Sequence, residues 1–328
     1  MKSLIINGYG VKISYKKGVL VISEGKESSK YSLADIDKLV LVTSGISITT
    51  KAIRALIDSG IDLIIMDSKG MPTAMIHHPF ISRTVETRRA QYEAFNDYKA
   101  VVVVKVIAAS KILNQAGLLK RLSRSVGTSD LRDDIKLIKS YADEVMSIDG
   151  DNVKGVRPEV MKLEAAAARV YWSAYAYLLP KELEFNGRDQ DGVDVVNKSL
   201  NYGYGILYSE CWKAAALAGL DPYAGFLHSD RSGKPVLVFD IIEVFRAAAI
   251  DYSLLKAFRR GWRPNVDEGL LSKESRVELI KLVNDSLSTR FKAGSQVKEL
   301  RSWISTFTHI LASYLKDRAI LKPLVFRW

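Results

Sequence analysis

The spacing of apolar residues changes character once along this chain, near residue 81, and that change limits the possible folds more than any other feature. Before it, short runs alternate with Gly and polar turns. Ser3–Ile6, Val11–Tyr15, Val19–Ser23 and Glu27–Tyr31 have the two-residue period of strands, with hairpin turns at Lys16-Lys17-Gly18 and Glu24-Gly25-Lys26. Lys38–Val42 has the composition of a buried strand, Thr49–Ser59 carries apolar residues on one helical face and stops at Gly60, and Asp62–Met66 and Thr73–Ile76 return to strand. From Glu86 onward the period is near 3.6, and helices are predicted over 84–126, 129–147, 158–178, 193–219, 236–259, 273–292 and 295–316. No solenoid-type repeat is present. The expected class is therefore α+β and multidomain: a small, mainly-β domain over 1–85, then a large all-α domain over 86–328.

Composition narrows the function classes. Cys211 is the only cysteine, which excludes an intrachain disulfide framework and a zinc site built on several thiolates, and makes a reducing, cytoplasmic setting the expectation. The amino terminus reads as strand, unlike a signal peptide. The most apolar run, Ala100–Val104, meets Lys105 well short of the ~20 apolar residues a membrane span needs. Net charge is +11, and it is uneven: after residue 255 there are 15 Lys and Arg against 7 Asp and Glu. A local basic field attracts polyanions, of which nucleic acid is the commonest, although a solubilising surface has the same composition.

Several chemistries lack their residues. There is no Gly-x-Ser-x-Gly elbow, Cys211 lies in an apolar helical run, and Gly203 and Gly205 in NYGYG lack the lysine and spacing of a phosphate loop. Carboxylates and one histidine stand out instead. His77, His78 and His309 fit junction, surface or core positions, whereas His228 precedes a polar Gly/Pro loop, and Asp240 and Glu243 follow inside the apolar helix VLVFDIIEVF. Residues three apart share a helix face, so both carboxylates project into a buried setting that demands positive charge. Arg246, one further step along, offers that charge as a structural ion pair; a divalent cation held by carboxylates and imidazole, manganese or magnesium, is the other reading. Glu164, just before four alanines in LEAAAARVYW, is a third carboxylate in a helix whose small residues permit close approach, with Lys162 or Arg169 as ordinary partners.

LEAAAARVYW, the stretch Val195–Gly219 containing NYGYG, and DPYAGFLHSDRSGKPVLVFDIIEVFR, in a chain that runs strands first and helices after, resemble the CRISPR-associated integrase family, the nuclease subunit of the spacer-acquisition machinery. The resemblance covers nearly the whole chain. It implies Glu164, His228 and Glu243 as ligands of one catalytic Mg2+ or Mn2+, with Asp240 at a neighbouring acidic position, either supporting or ligating. Glu243 stands where the family often has Asp, which lengthens the arm and keeps the chemistry. Residues 187–194, GRDQDGVD, depart from the basic, proline-containing run of many relatives.

The implied activity is endonucleolytic cleavage and strand transfer of captured DNA into a repeat, with double-stranded DNA, a second copy of the chain and a small second adaptation protein as partners. Edges left by the short amino-terminal strands favour the same homodimer. Arg246, Arg259, Arg260 and Arg263 are the expected nucleic-acid contacts, with Trp262 either stacking on a base or capping the core. Tyr171 and Tyr202 or Tyr204 are assigned to phosphate positioning or to packing. The competing readings are a non-catalytic DNA-binding scaffold, whose carboxylates pair with Arg246 and Arg169, and a general nuclease of branched-DNA repair.

Overall fold

The computed structural model describes residues 2–76, 85–127 and 129–328. His77 and His78 lie outside the described residues, and the boundary expected at residue 85 adjoins that segment.

Strands β1 (Lys2–Ile6), β2 (Lys12–Lys16), β3 (Val19–Glu24), β4 (Glu27–Ser32), β5 (Ile36–Leu41), β7 (Asp62–Met66) and β8 (Pro72–Ile76), with helix α1 (Thr50–Asp58), follow the sequence pattern closely, and a two-residue strand β6 (Ser47–Ile48), outside that pattern, pairs with β2. They form two four-stranded sheets, ordered β1-β5-β7-β8 and β4-β3-β2-β6. Thr49 caps α1 by accepting the N–H of Ala52 at 3.2 Å. The continuous apolar run of β5 has a simple cause. Leu39, Leu41 and Leu63 face α1 and the second sheet, whereas Val40, Val42, Ile64 and Met66 on the other face join the core of the helical body.

The body comprises α2 (Val85–Ala94), α3 (Tyr98–Val126), α4 (Arg132–Ser147), α5 (Val153–Leu178), α6 (Val195–Leu217), α7 (Val236–Arg246), α8 (Tyr252–Arg259), α9 (Lys273–Leu287) and α10 (Leu300–Leu315). By length and composition α3 is apolar enough to cross a membrane, but 78% of its most apolar window is buried inside the protein. Lys105 does not interrupt it, because the buried ammonium donates to the carbonyl of Ile148 at 2.6 Å. Helix α5 begins five residues before Pro158, at a cap where Asn152 accepts the N–H of Gly155 at 3.0 Å.

Three expectations are corrected, the first being the single helix over 84–126, which breaks at residues 95–97 into α2 and α3, with Asp97 extended at the α3 N-terminus. The single helix over 236–259 is interrupted by a π-helical turn at 247–251, which swings Asp251 inward. The helical body also contains strands: β9 (Val266–Asp267) with β10 (Leu270–Leu271), and β11 (Arg290–Ala293) with β12 (Gln296–Glu299) and β13 (Phe326–Arg327). The periodicity predicts helix up to 292 and again from 295, but Phe291 and Ala293 alternate into the core and Gly294 takes a left-handed φ of 57° at the turn.

The two units meet tightly. A Cβ on Gly205 of α6 would overlap the carbonyl oxygen of Gly70 in the β7–β8 turn, so the NYGYG glycine serves close backbone approach. Beside it, Lys38 of β5 pairs with Glu210 of α6 at 2.6 Å, and Arg301 of α10 reaches the other Glu210 oxygen at 3.3 Å.

Candidate active site

The Leu220–Pro235 loop is tied back to α7 by the Leu237 N–H, which donates to the Pro222 carbonyl at 3.0 Å, and above all by Asp240. Its carboxylate is fully buried: Oδ2 accepts the N–H groups of Phe226 (2.6 Å) and Leu227 (2.9 Å), and Oδ1 accepts the N–H of His228 at 3.0 Å and lies 2.7 Å from His228 Nδ1. Gly225 makes room, since a Cβ there would stand 3.0 Å from Asp240 Oδ2. An ionised carboxylate only accepts, so Nδ1 carries the ring proton and Nε2 keeps its lone pair in the neutral imidazole. Burial opposes charging the ring. The hydrogen bond and charge of Asp240, with Glu243 nearby, outweigh it and hold the His228 pKa above its ordinary value. Of the two roles open to Asp240, the geometry favours orienting His228.

Glu164 on α5 and Glu243 on α7 converge on a residue that belongs to none of the sequence motifs, Lys111 of α3. Its ammonium donates to Glu164 Oε1 and lies 2.6 Å from Glu243 Oε2. Glu243 Oε1 is 3.1 Å from Arg246. Burial alone would raise the Glu243 carboxyl, but Arg246, Lys111 and His228 together hold it down at about 2. Burial would likewise discharge Lys111, and Glu243 and Glu164 reverse that and raise its pKa. The partner of Glu164 is thus on another helix, not Lys162 or Arg169 on its own. The signal in the sequence was a lysine inside an apolar helix, which Lys105 shares.

The donor set suits a divalent cation. Two carboxylates already grip a cationic group between them, and an imidazole whose outer nitrogen is uncommitted lies close enough to influence Glu243. Among the described residues, however, no three His, Cys, Asp or Glu side chains stand at metal-binding spacing.

The remaining candidates separate. Tyr171 and Tyr204 donate to the buried Asp251 at 2.7 and 2.6 Å, and Tyr175 donates to its carbonyl at 2.9 Å. Burial keeps the Asp251 pKa raised against the pull of those hydroxyls and of Arg246 and Arg188. The phosphate-positioning expectation for Tyr171 is corrected accordingly, because its ring is buried and its hydroxyl is spent on Asp251. That for Tyr202 is corrected too: the ring packs against Gly70 and the hydroxyl is buried without a hydrogen-bond partner. Of the two roles expected of Arg246, DNA contact and internal counter-charge, its observed contacts are those of the second: it pairs with Glu243 and stacks 4.5 Å from the Tyr204 ring centre. Arg259 and Arg260 are exposed at the end of α8. Arg263 is not free in the same sense, since it donates to the Phe258 and Trp262 carbonyls at 2.7 and 2.9 Å and pairs with Glu182. Trp262 packs on Phe258 and donates to Glu278 at 2.9 Å, as a packing residue does. Cys211 is buried, with its thiol pKa pushed well up.

The family profile described as CRISPR associated protein Cas1 matches residues 4–285. A "CRISPR-associated endonuclease Cas1 2" from Saccharolobus solfataricus is 37% identical over 295 residues, covering 90% of this chain and 88% of that protein. Among solved structures, a "casposase bound to integration product" superposes with a TM-score of 0.83 at 25% identity, covering 98% of this chain and 93% of the other. A chain of a "Cas6-RT-Cas1–Cas2 complex" shares the fold, with a TM-score of 0.75 at 20% identity over 97% of this chain and 35% of the other. With strands before helices, a profile match over most of its length and a relative 37% identical over nine-tenths of it, the chain belongs to the Cas1 family of CRISPR-associated proteins.

Proposed function

We propose that this chain is a divalent-metal-dependent DNA endonuclease and strand transferase that inserts captured fragments as new spacers into a CRISPR array. The observation that carries the proposal is the convergence of Glu164 and Glu243, from separate helices, around one positive charge beside a His228 oriented by a buried carboxylate. Glu164, Glu243 and the Nε2 atom of His228 would hold Mg2+ or Mn2+. When bound, such an ion polarises the scissile phosphodiester and offsets charge on the leaving oxygen. The protein groups do the rest: Asp240 fixes the His228 tautomer, and Arg246 keeps Glu243 ionised inside an apolar wall. Attack at phosphorus by water cuts the strand, and attack by the 3′-hydroxyl of a fragment joins it to the target as the old phosphorus–oxygen bond breaks.

Double-stranded DNA is the proposed substrate, gripped through phosphates. Arg259 and Arg260 are exposed, and a groove between the end of α3 and the start of α4 is lined by Lys120, Arg124, Arg132, Lys136 and Lys139. A second copy of the chain, paired through the β module, and a small second adaptation protein are the proposed partners. The outer strands β1, β8, β4 and β6 supply edges for pairing, and the likeness to a chain from a Cas1–Cas2 complex supports the second partner.

One observation favours a second reading. The carboxylates are ion-paired with Lys111 and Arg246, as they would be in a non-catalytic DNA-binding scaffold. Glu164→Gln, His228→Ala and Glu243→Gln decide between the two. Each should abolish Mn2+-dependent nicking and strand transfer into a repeat-bearing supercoiled plasmid, while folding by circular dichroism and duplex binding persist. A wild-type protein that binds DNA equally with and without Mn2+ and never nicks it is a scaffold.

A further inference from the structure

We propose that Lys111 is an internal stand-in for the catalytic cation, holding the site shut and neutral until a divalent ion displaces its ammonium. The inference rests on the reading of Glu164, His228 and Glu243 as metal ligands. Three observations carry it. The Lys111 ammonium contacts one oxygen of each carboxylate, the place where a shared cation would bind. Within the ion-paired quartet the formal charges balance, Glu164 and Glu243 against Lys111 and Arg246, so a dication added with Lys111 in place would carry the quartet to two net positive charges, of which the Asp240 carboxylate behind His228 offsets only one. Finally, Lys111 reaches the carboxylate pair from α3 on a long, flexible stem, the kind of arm that can withdraw its charge while α5 and α7 stay in place.

Arg246 is the poorer candidate for displacement. Its guanidinium is stacked on Tyr204 and fixed one helical step from Glu243, whereas Lys111 arrives from a different helix and meets both carboxylates at its tip. Entry of the ion and withdrawal of Lys111 are therefore coupled. Without the ion, Lys111 suppresses the repulsion between the buried Glu243 and the half-buried Glu164 that would otherwise open the α3–α5–α7 junction.

The test is Mn2+ binding by titration calorimetry to the full-length chain, with Lys111→Met retaining the stem and removing the charge. Relative to wild type, Lys111→Met should bind Mn2+ about tenfold more tightly or better, the gain expected when one like charge leaves a site. Its metal-free form should melt at a lower temperature, and Mn2+ should raise that temperature by more than in wild type. Equal or weaker Mn2+ affinity in Lys111→Met, with wild-type binding that still depends on Glu164, overturns the stand-in and leaves the metal site standing. Failure of both proteins to bind Mn2+ overturns the metal site and the stand-in together. Should Lys111→Met not fold, amine acylation of the wild-type protein, read by mass spectrometry, decides: Mn2+ should raise the reactivity of Lys111 relative to Lys105, and unchanged reactivity overturns the proposal.

Discussion

Asp240 shows how much one buried side chain can carry. It accepts three backbone N–H groups and one imidazole nitrogen, and thereby fixes both the path of the loop and the tautomer of His228. Asp240→Asn preserves the shape but turns an amide N–H toward donors. We expect a loss of about 10–100-fold in nicking rate, the usual scale for losing the group that orients a metal-binding histidine, with an accompanying fall in melting temperature. Retention of the full rate would mean that His228 is positioned by other groups. The motif around Asp240 was legible because all its members lie between Phe226 and Glu243, within reach of a local pattern. Lys111 was not, since it stands 53 positions from Glu164 and its only mark in the sequence is to be basic within an apolar helix.

Among the elements, the π-helical turn between α7 and α8 does what an uninterrupted helix would not. It presents Asp251 to the hydroxyls of Tyr171 and Tyr204, while Arg246, one turn earlier, faces Glu243. Tyr171→Phe removes one donor from a buried carboxylate, and should cost about 1–3 kcal/mol in urea denaturation. Nicking at saturating Mn2+ should change little, because Tyr171 touches the structural network and not the carboxylate pair. A large rate loss without a stability loss would return Tyr171 to the reaction. Seven of the eight strands of the β module were legible to within one or two residues, since alternation and Gly-containing turns are local properties, whereas β6 is two residues long and too short to show a period. The π turn and the β11–β12 hairpin were not: one depends on what Asp251 meets across the core, and the other on Phe291 finding Trp303 and Phe326 far along the chain.

For the whole molecule, charge acts in two distinct places. The exposed pair Arg259 and Arg260 should govern affinity for unrelated duplexes. Their joint replacement by Ala should flatten the slope of log affinity against log salt by about 0.9 for each phosphate no longer neutralised, whereas Arg263→Ala should leave it near wild type because Glu182 already holds that guanidinium. Filter binding across salt concentrations measures this, and an unchanged slope in the double variant would move the DNA path to the α3–α4 groove. The second place is the seam between the units. Burial disfavours ionised Glu210, yet Lys38 and Arg301 reverse this and hold its pKa at about 2 instead of 4.5. A depressed carboxyl stabilises the fold fully above pH 4.5, and its contribution is lost as pH falls toward 2. Glu210→Gln should therefore destabilise the protein by about 3–5 kcal/mol at neutral pH, by stranding Lys38, and should weaken the acid dependence of urea denaturation in that window. The seam also bears on ancestry. Glu210 draws counter-charge from across the seam, and the turn at Gly70 can lie this close to α6 only because residue 205 has no Cβ. A β module borrowed from a distant cousin would collide with α6 or leave an acid stranded beneath it. Such chains can trade amino-terminal halves only when both sides of the seam change hands together, so exchange by recombination at the junction is penalised even where each half folds well.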